Sequence, residues 1–133
     1  MAQIVRLYTT LPAPAPDVAD YSFDPVAPFP VVKMEVEASA QEFAAAALFA
    51  VRIIVRDLVT AVVAAPASTT GNLTVTAPWN LSRNAKFEFA LPPAITAAAA
   101  AGGMVKIEGI VRVGAIAGGS NIDLASAMFV WAF

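Results

Sequence analysis

The chain has 133 residues, eight basic and ten acidic, for a formal charge of −2, and it contains no histidine and no cysteine. That length makes one domain with a real core. The balanced charge argues against a nucleic-acid binder, which usually shows a clustered basic face, and the missing residue types exclude a Ser-His-Asp triad, a thiolate nucleophile, disulfides and the usual zinc, haem and iron–sulfur ligand sets. Charged residues are only 14 % of the chain, against roughly 25 % in ordinary soluble domains. The apolar share is 59 %, but thirty of those residues are alanine, which can sit on a surface without making it sticky. So few charges favour a subunit that buries part of its surface against neighbours over a compact domain with an alanine bias.

In chain order, residues 3–10 read as a short strand. Six of the ten prolines fall within the first thirty residues. Proline fixes φ and removes a donor, so residues 11–30 are expected to be extended and polyproline-like, neither helix nor central strand. This stretch keeps Val18, Tyr21, Phe23, Val26 and Phe29, which a free linker has no reason to carry. Residues 1–30 are therefore read as an arm and residues 31–133 as the domain proper. The arm lies either across its own domain or on a neighbouring subunit.

Residues 31–39 alternate cleanly: Lys33, Glu35 and Glu37 leave one face and Val32, Met34 and Val36 the other. A short helix is expected within residues 41–48, since alanine has the highest helix propensity. Residues 49–63 hold the longest β-branched run, which suits a pleated surface better than a helix. Arg52 and Arg56 share one face there, Val51, Ile53 and Val55 the other, and Asp57 breaks the alternation, as a bulge or strand end would. Residues 66–72 are turn-like, residues 73–77 read as a strand, and residues 78–84 as a loop holding Trp79. Residues 86–91 alternate again, with Phe87, Phe89 and Leu91 inward. Residues 94–103 suggest a helical turn stopped by glycine, or a low-complexity loop. Residues 104–113 form a second clear strand, with Lys106, Glu108, Ile110 and Arg112 on one face and Gly109 inward, where a bend or a close backbone approach is expected. Residues 122–133 close the chain on Trp131 and Phe133, which should pin the C-terminus into a sheet.

Seven or eight strands separated by turn signals, with little helix, predict an all-β fold: an antiparallel sandwich or barrel of jelly-roll or immunoglobulin-like type. The outward charges of mixed sign on residues 33–37, 86–88 and 106–108 read as a solvated sheet face, with opposite charges pairing across strands. Residues 44–65 are long enough to span a bilayer, but Arg52, Arg56 and Asp57 near the middle would each cost about 2.5–3.5 kcal/mol there, so no span is expected. The first residues lack a basic region followed by an apolar core, so no secretory signal is expected either.

Chemical candidates are few. Glu35 with Glu37, or Glu88 with Glu108, could in principle serve glycoside hydrolysis, but alternation places them on outward faces as ordinary surface carboxylates. Asp17, Asp20 and Asp24 offer oxygen ligands for calcium, at a spacing that fits no EF-hand loop. Trp79 beside Asn80 and Arg83 could grip a sugar ring or plug the end of the core. Asn72-Leu73-Thr74 and Asn80-Leu81-Ser82 match the N-glycosylation pattern. No metal or cofactor is expected, and no enzymatic activity. The function expected is structural: self-association, or docking on a lattice such as a major capsid or shell protein, as in a phage head-decoration or small capsid protein of a virion or other extracellular assembly. The contact residues expected are Tyr21, Phe23, Phe29, Trp79, Trp131 and Phe133. The alternatives are a glycan-binding module centred on Trp79 and a filament subunit that exchanges its arm or first strand.

Overall fold

The computed structural model describes residues 2–13, 16–114 and 120–131. The elements in order are β1 (Gln3–Thr10), β2 (Ser22–Phe23), β3 (Val31–Glu37), α1 (Ala40–Ala44), β4 (Leu48–Asp57), β5 (Val63–Ala64), β6 (Thr69–Asn72), β7 (Asn84–Ala90), α2 (Pro93–Ala97) with a following 3-10 turn (Ala98–Ala101), β8 (Gly103–Gly114) and β9 (Ser120–Trp131). The strands form two sheets, one of order β1-β3-β7 and one of order β2-β9-β8-β4-β5, with β6 also paired to β4. The fold is thus all-β. Among the described residues no helix is long and apolar enough to cross a membrane.

The central ladder is β4 on β8, antiparallel over nine residue pairs. Its inward rows set Val51 opposite Val111, Ile53 opposite Gly109 and Val55 opposite Ile107, and every one of these large side chains is fully buried. The three-stranded sheet supplies the facing layer of the same core: Val32 stands opposite Phe89 and Met34 opposite Phe87. Gly109 marks where the layers come closest. A Cβ added there would lie 2.8 Å from Met34 Cε and 3.1 Å from Leu7 Cδ2, both side chains of the other sheet. What comes close to this glycine is not another backbone but the side chains of Met34 and Leu7, which take the space a Cβ would fill.

Local chemistry ends the elements. Asp57 is buried at the end of β4, and its Oδ1 accepts the backbone N–H of Val59 at 2.9 Å and of Thr60 at 3.2 Å. That carboxylate turn folds the chain back so that Val63 pairs with Arg56. The long apolar run is therefore one strand and a hairpin return, divided at Asp57. Ser39 caps α1 reciprocally with Glu42. The alanine tract is helical, and Gly102, at φ 71°, stops it.

Two expectations shift. The strand expected at residues 73–77 lies four residues earlier, as β6. Thr69 and Thr70 pair with Val51 and Ala50 of β4, and the Phe49 ring closes on Gly71, where an added Cβ would be 3.1 Å from it. Leu73 then drops fully into the core and ends the extended run. The second shift concerns Lys33, expected on a solvated face: it is only 6 % exposed. The proline-rich segment explains this. Asp20 N–H donates to Thr9 O, Thr10 Oγ1 donates to Pro16 O, and the Asp17 carboxylate takes the Lys33 ammonium. Residues 16–20 thus lie over the outer side of β1 and β3, before Ser22 and Phe23 pair with Val130 and Trp131 of β9.

Gly109→Val should destabilise the fold by about 1–3 kcal/mol through overpacking against Met34 and Leu7. Gly109→Ala should cost less, because the Met34 terminus can swing aside. Urea denaturation of the two variants checks the order.

Candidate interaction surfaces

Of the aromatic residues expected to make contacts, most are spent inside the fold. Phe23, half-buried Phe29, Phe129 and Trp131 form one edge-to-face cluster, with centroid distances of 5.5 Å for Phe23–Phe129, 5.9 Å for Phe29–Trp131 and 5.0 Å for Phe129–Trp131. Trp79 forms a second with Phe43, Phe49 and Phe87, the nearest being Phe49 at 5.3 Å. Trp79 is 4 % exposed, so it plugs the core and offers no free ring face to a sugar. Tyr21, at 46 % exposed, is accessible, and its carbonyl accepts the Val130 N–H. Phe133 lies outside the described residues.

The carboxylates are likewise engaged or separated. Glu88 and Glu108 lie on different sheets. Glu35 pairs with Arg6 at 3.3 Å, and the Arg6 guanidinium lies 4.3 Å over the Tyr8 ring. Burial, then the neighbouring Glu35, push the Tyr8 hydroxyl up to about 12. Asp17 is held by two ammonium groups, Lys33 and Lys86, which lower its pKa from the ordinary 3.8 to about 2 and raise that of Lys86. A carboxylate already neutralised twice does not invite a cation. In the two sequons, Asn72 Nδ2 donates to Ala46 O, and Asn80 Oδ1 accepts from Ser82 N–H and Asn84 N–H.

What remains open is the outer face of the six-stranded sheet. Alternation along β4, β8 and β9 turns Arg52, Arg56, Lys106, Glu108 and Arg112 outward. The same face exposes Leu48 (64 %), Met104, Ile122, Leu124 (67 %) and Met128. Arg56 Nε donates to Glu108 Oε1 at 3.0 Å, and Lys106 stands 3.9 Å from the same oxygen. At one end a cleft of about 410 Å³ is lined by Leu48, Ala50, Thr70, Gly71 and Arg112. Sequence reasoning placed the outward charges of this face but missed its apolar part. The signal was in β9: Asp123, Ala125 and Ala127 fall on the inward side, opposite Val111, Gly109 and Ile107, so the larger Ile122, Leu124 and Met128 must point out. The inward residues are small or polar because β1 packs against them, with Ile4 N–H donating to Asp123 Oδ2 at 2.7 Å.

No known family model matches the chain, and no curated protein or solved structure matches it.

Two outcomes follow from this geometry. A carboxylate whose pKa is lowered by folding contributes stability above its unfolded value, and that contribution is lost as pH falls through the folded one. The wild type should therefore lose its stability advantage over Asp17→Asn between about pH 4 and about pH 2, read as converging urea midpoints; parallel profiles would refute the double ion pair. Trp79→Ala should cost about 3–5 kcal/mol as a large buried aromatic, with Trp79→Phe milder, by thermal or urea unfolding.

Proposed function

We propose that the protein is a structural, non-enzymatic subunit: a two-layer β-sandwich that associates with copies of itself on a shell or particle, as a viral head-decoration or small capsid subunit does. The observation that carries this reading is the outer face of the six-stranded sheet, where Leu48, Ile122, Leu124 and Met128 stand exposed among paired charges. Large aliphatic side chains gathered on one flat face are costly to leave in water and gain roughly 25 cal/mol per Å² of apolar surface when covered, less the cost of association. The mechanism is mechanical, with no group transfer. The chain holds no histidine or cysteine; Glu88 and Glu108 lie on different sheets, and Glu35 is in an ion pair with Arg6.

The burial of Trp79 removes the exposed ring on which a glycan site would rest. The hydrogen bonds from the proline-rich segment to Thr9, Thr10 and Val130 of the same chain favour the arm lying across its own domain over arm exchange between filament subunits.

Sedimentation equilibrium of the full chain, from dilute to concentrated solution, should show reversible association beyond the monomer. A particle that stays monomeric throughout, with its β-rich circular-dichroism spectrum intact, would refute the proposal.

A further inference from the structure

The formal charges of this chain are segregated by side. The outer face of the six-stranded sheet carries four cations, Arg52, Arg56, Lys106 and Arg112, and one acid, Glu108, which leaves it at +3 in a chain of net −2. The outer face of the three-stranded sheet, with Asp17 folded over it, has Arg6, Lys33 and Lys86 against Asp17, Glu35, Glu37 and Glu88, three cations against four acids, or −1. The two sheets meet through their inward rows in one core, so these charged faces point away from each other.

We propose that the cationic, apolar face of the six-stranded sheet docks on the acidic, three-stranded side of a second copy, head to tail; this rests on the self-association reading above and specifies its geometry. Three arguments choose the occupant. Pairing the face with itself would set four cations against four, and like charges brought together at an interface are repulsive. A single-stranded nucleic acid would want aromatic platforms for its bases, and a duplex takes phosphate contacts rather than aliphatic ones, whereas the outward residues of β4, β8 and β9 include no aromatic ring but several large aliphatics. The size is also suitable. β4, β8 and β9 have 10, 12 and 12 residues; at about 3.3 Å per residue and about 4.8 Å between strands they cover about 540 Å² in projection. Side-chain relief brings that toward the roughly 800 Å² per partner of an ordinary specific interface. A face that binds the opposite side of its neighbour is heterologous, so it builds rings or open arrays rather than closed two-fold dimers.

The test uses three exposed positions whose replacement leaves the core untouched: Leu124 and Arg52 on the cationic face and Glu88 on the acidic side. Leu124→Glu, Arg52→Glu and Glu88→Lys should each weaken self-association by about tenfold or more, measured by sedimentation equilibrium on chains whose circular dichroism matches the wild type. The double variant R52E/E88K exchanges charges between the two sides and should recover association relative to either single change, and sodium chloride should weaken wild-type assembly. If the wild type associates while Arg52→Glu leaves it unchanged or tightens it, or the double variant is no better than the singles, this docking geometry is overturned while self-association stands. If the wild type never associates, the structural reading falls and this inference with it.

Discussion

The close approach of the two sheets at Gly109 is the constraint on which the rest of this structure depends. With no Cβ at that position, Met34 and Leu7 of one sheet reach into the inward row of the other, between Ile53 on one flank and Ala125 on the other. Val51, Val55, Ile107 and Val111 are buried in the core around this point. Because side chains alternate with a period of two, fixing Gly109 inward fixes Arg52, Glu108, Ile110 and Arg112 outward on the same two strands. One small residue in the core thereby settles what the molecule presents to its surroundings.

The same constraint acts on β9. Ala125 and Ala127 face the core beside the narrow inward row, and β1 packs in over them, with Asp123 receiving the Ile4 N–H. Little volume is left on that side for large side chains, so Ile122, Leu124 and Met128 take the solvent side. Phe129 and Trp131 turn inward only at the end of the strand, where Phe23 and Phe29 complete an aromatic cluster with them. The exposed apolar side chains of β9 thus follow from the small residues that β1 leaves room for on its inner side.

Much of the fold was legible in the sequence because its information is local. The alternations through Val32, Met34 and Val36 and through Val105, Ile107 and Val111, the break at Asp57 and the glycine stop at Gly102 each act within a few residues of themselves. What was not legible depends on partners distant in sequence. Lys33 reads as a surface lysine until Asp17 folds over it. Thr69 and Thr70 read as turn residues until β4 offers them a ladder. Trp79 carries amides on its flanks, and nothing in those neighbours announces that Phe43, Phe49 and Phe87 surround its ring. For the candidate surface, the charges were visible from alternation alone, whereas its aliphatic half required knowing that β1 covers the inner side of β9.

Sheet edges narrow the ways in which this body can meet another copy. A long bare strand edge is the usual template for pairing between chains. Here one end of the six-stranded sheet carries the two-residue strand β2, and the other divides the side of β4 between the short strands β5 and β6. The outer edge of β7 is met at its start by Trp79, which bridges to Ala85, and its exposed side chains farther along include Lys86 and Glu88; charged residues on an edge strand disfavour continuation by a foreign strand. On the six-stranded sheet, blunted edges beside exposed apolar side chains favour contact by side-chain packing over backbone pairing. In the head-to-tail docking proposed above, such packing would select its partner through shape and charge, and the segregation of cations from acids on opposite sides would set the direction of contact.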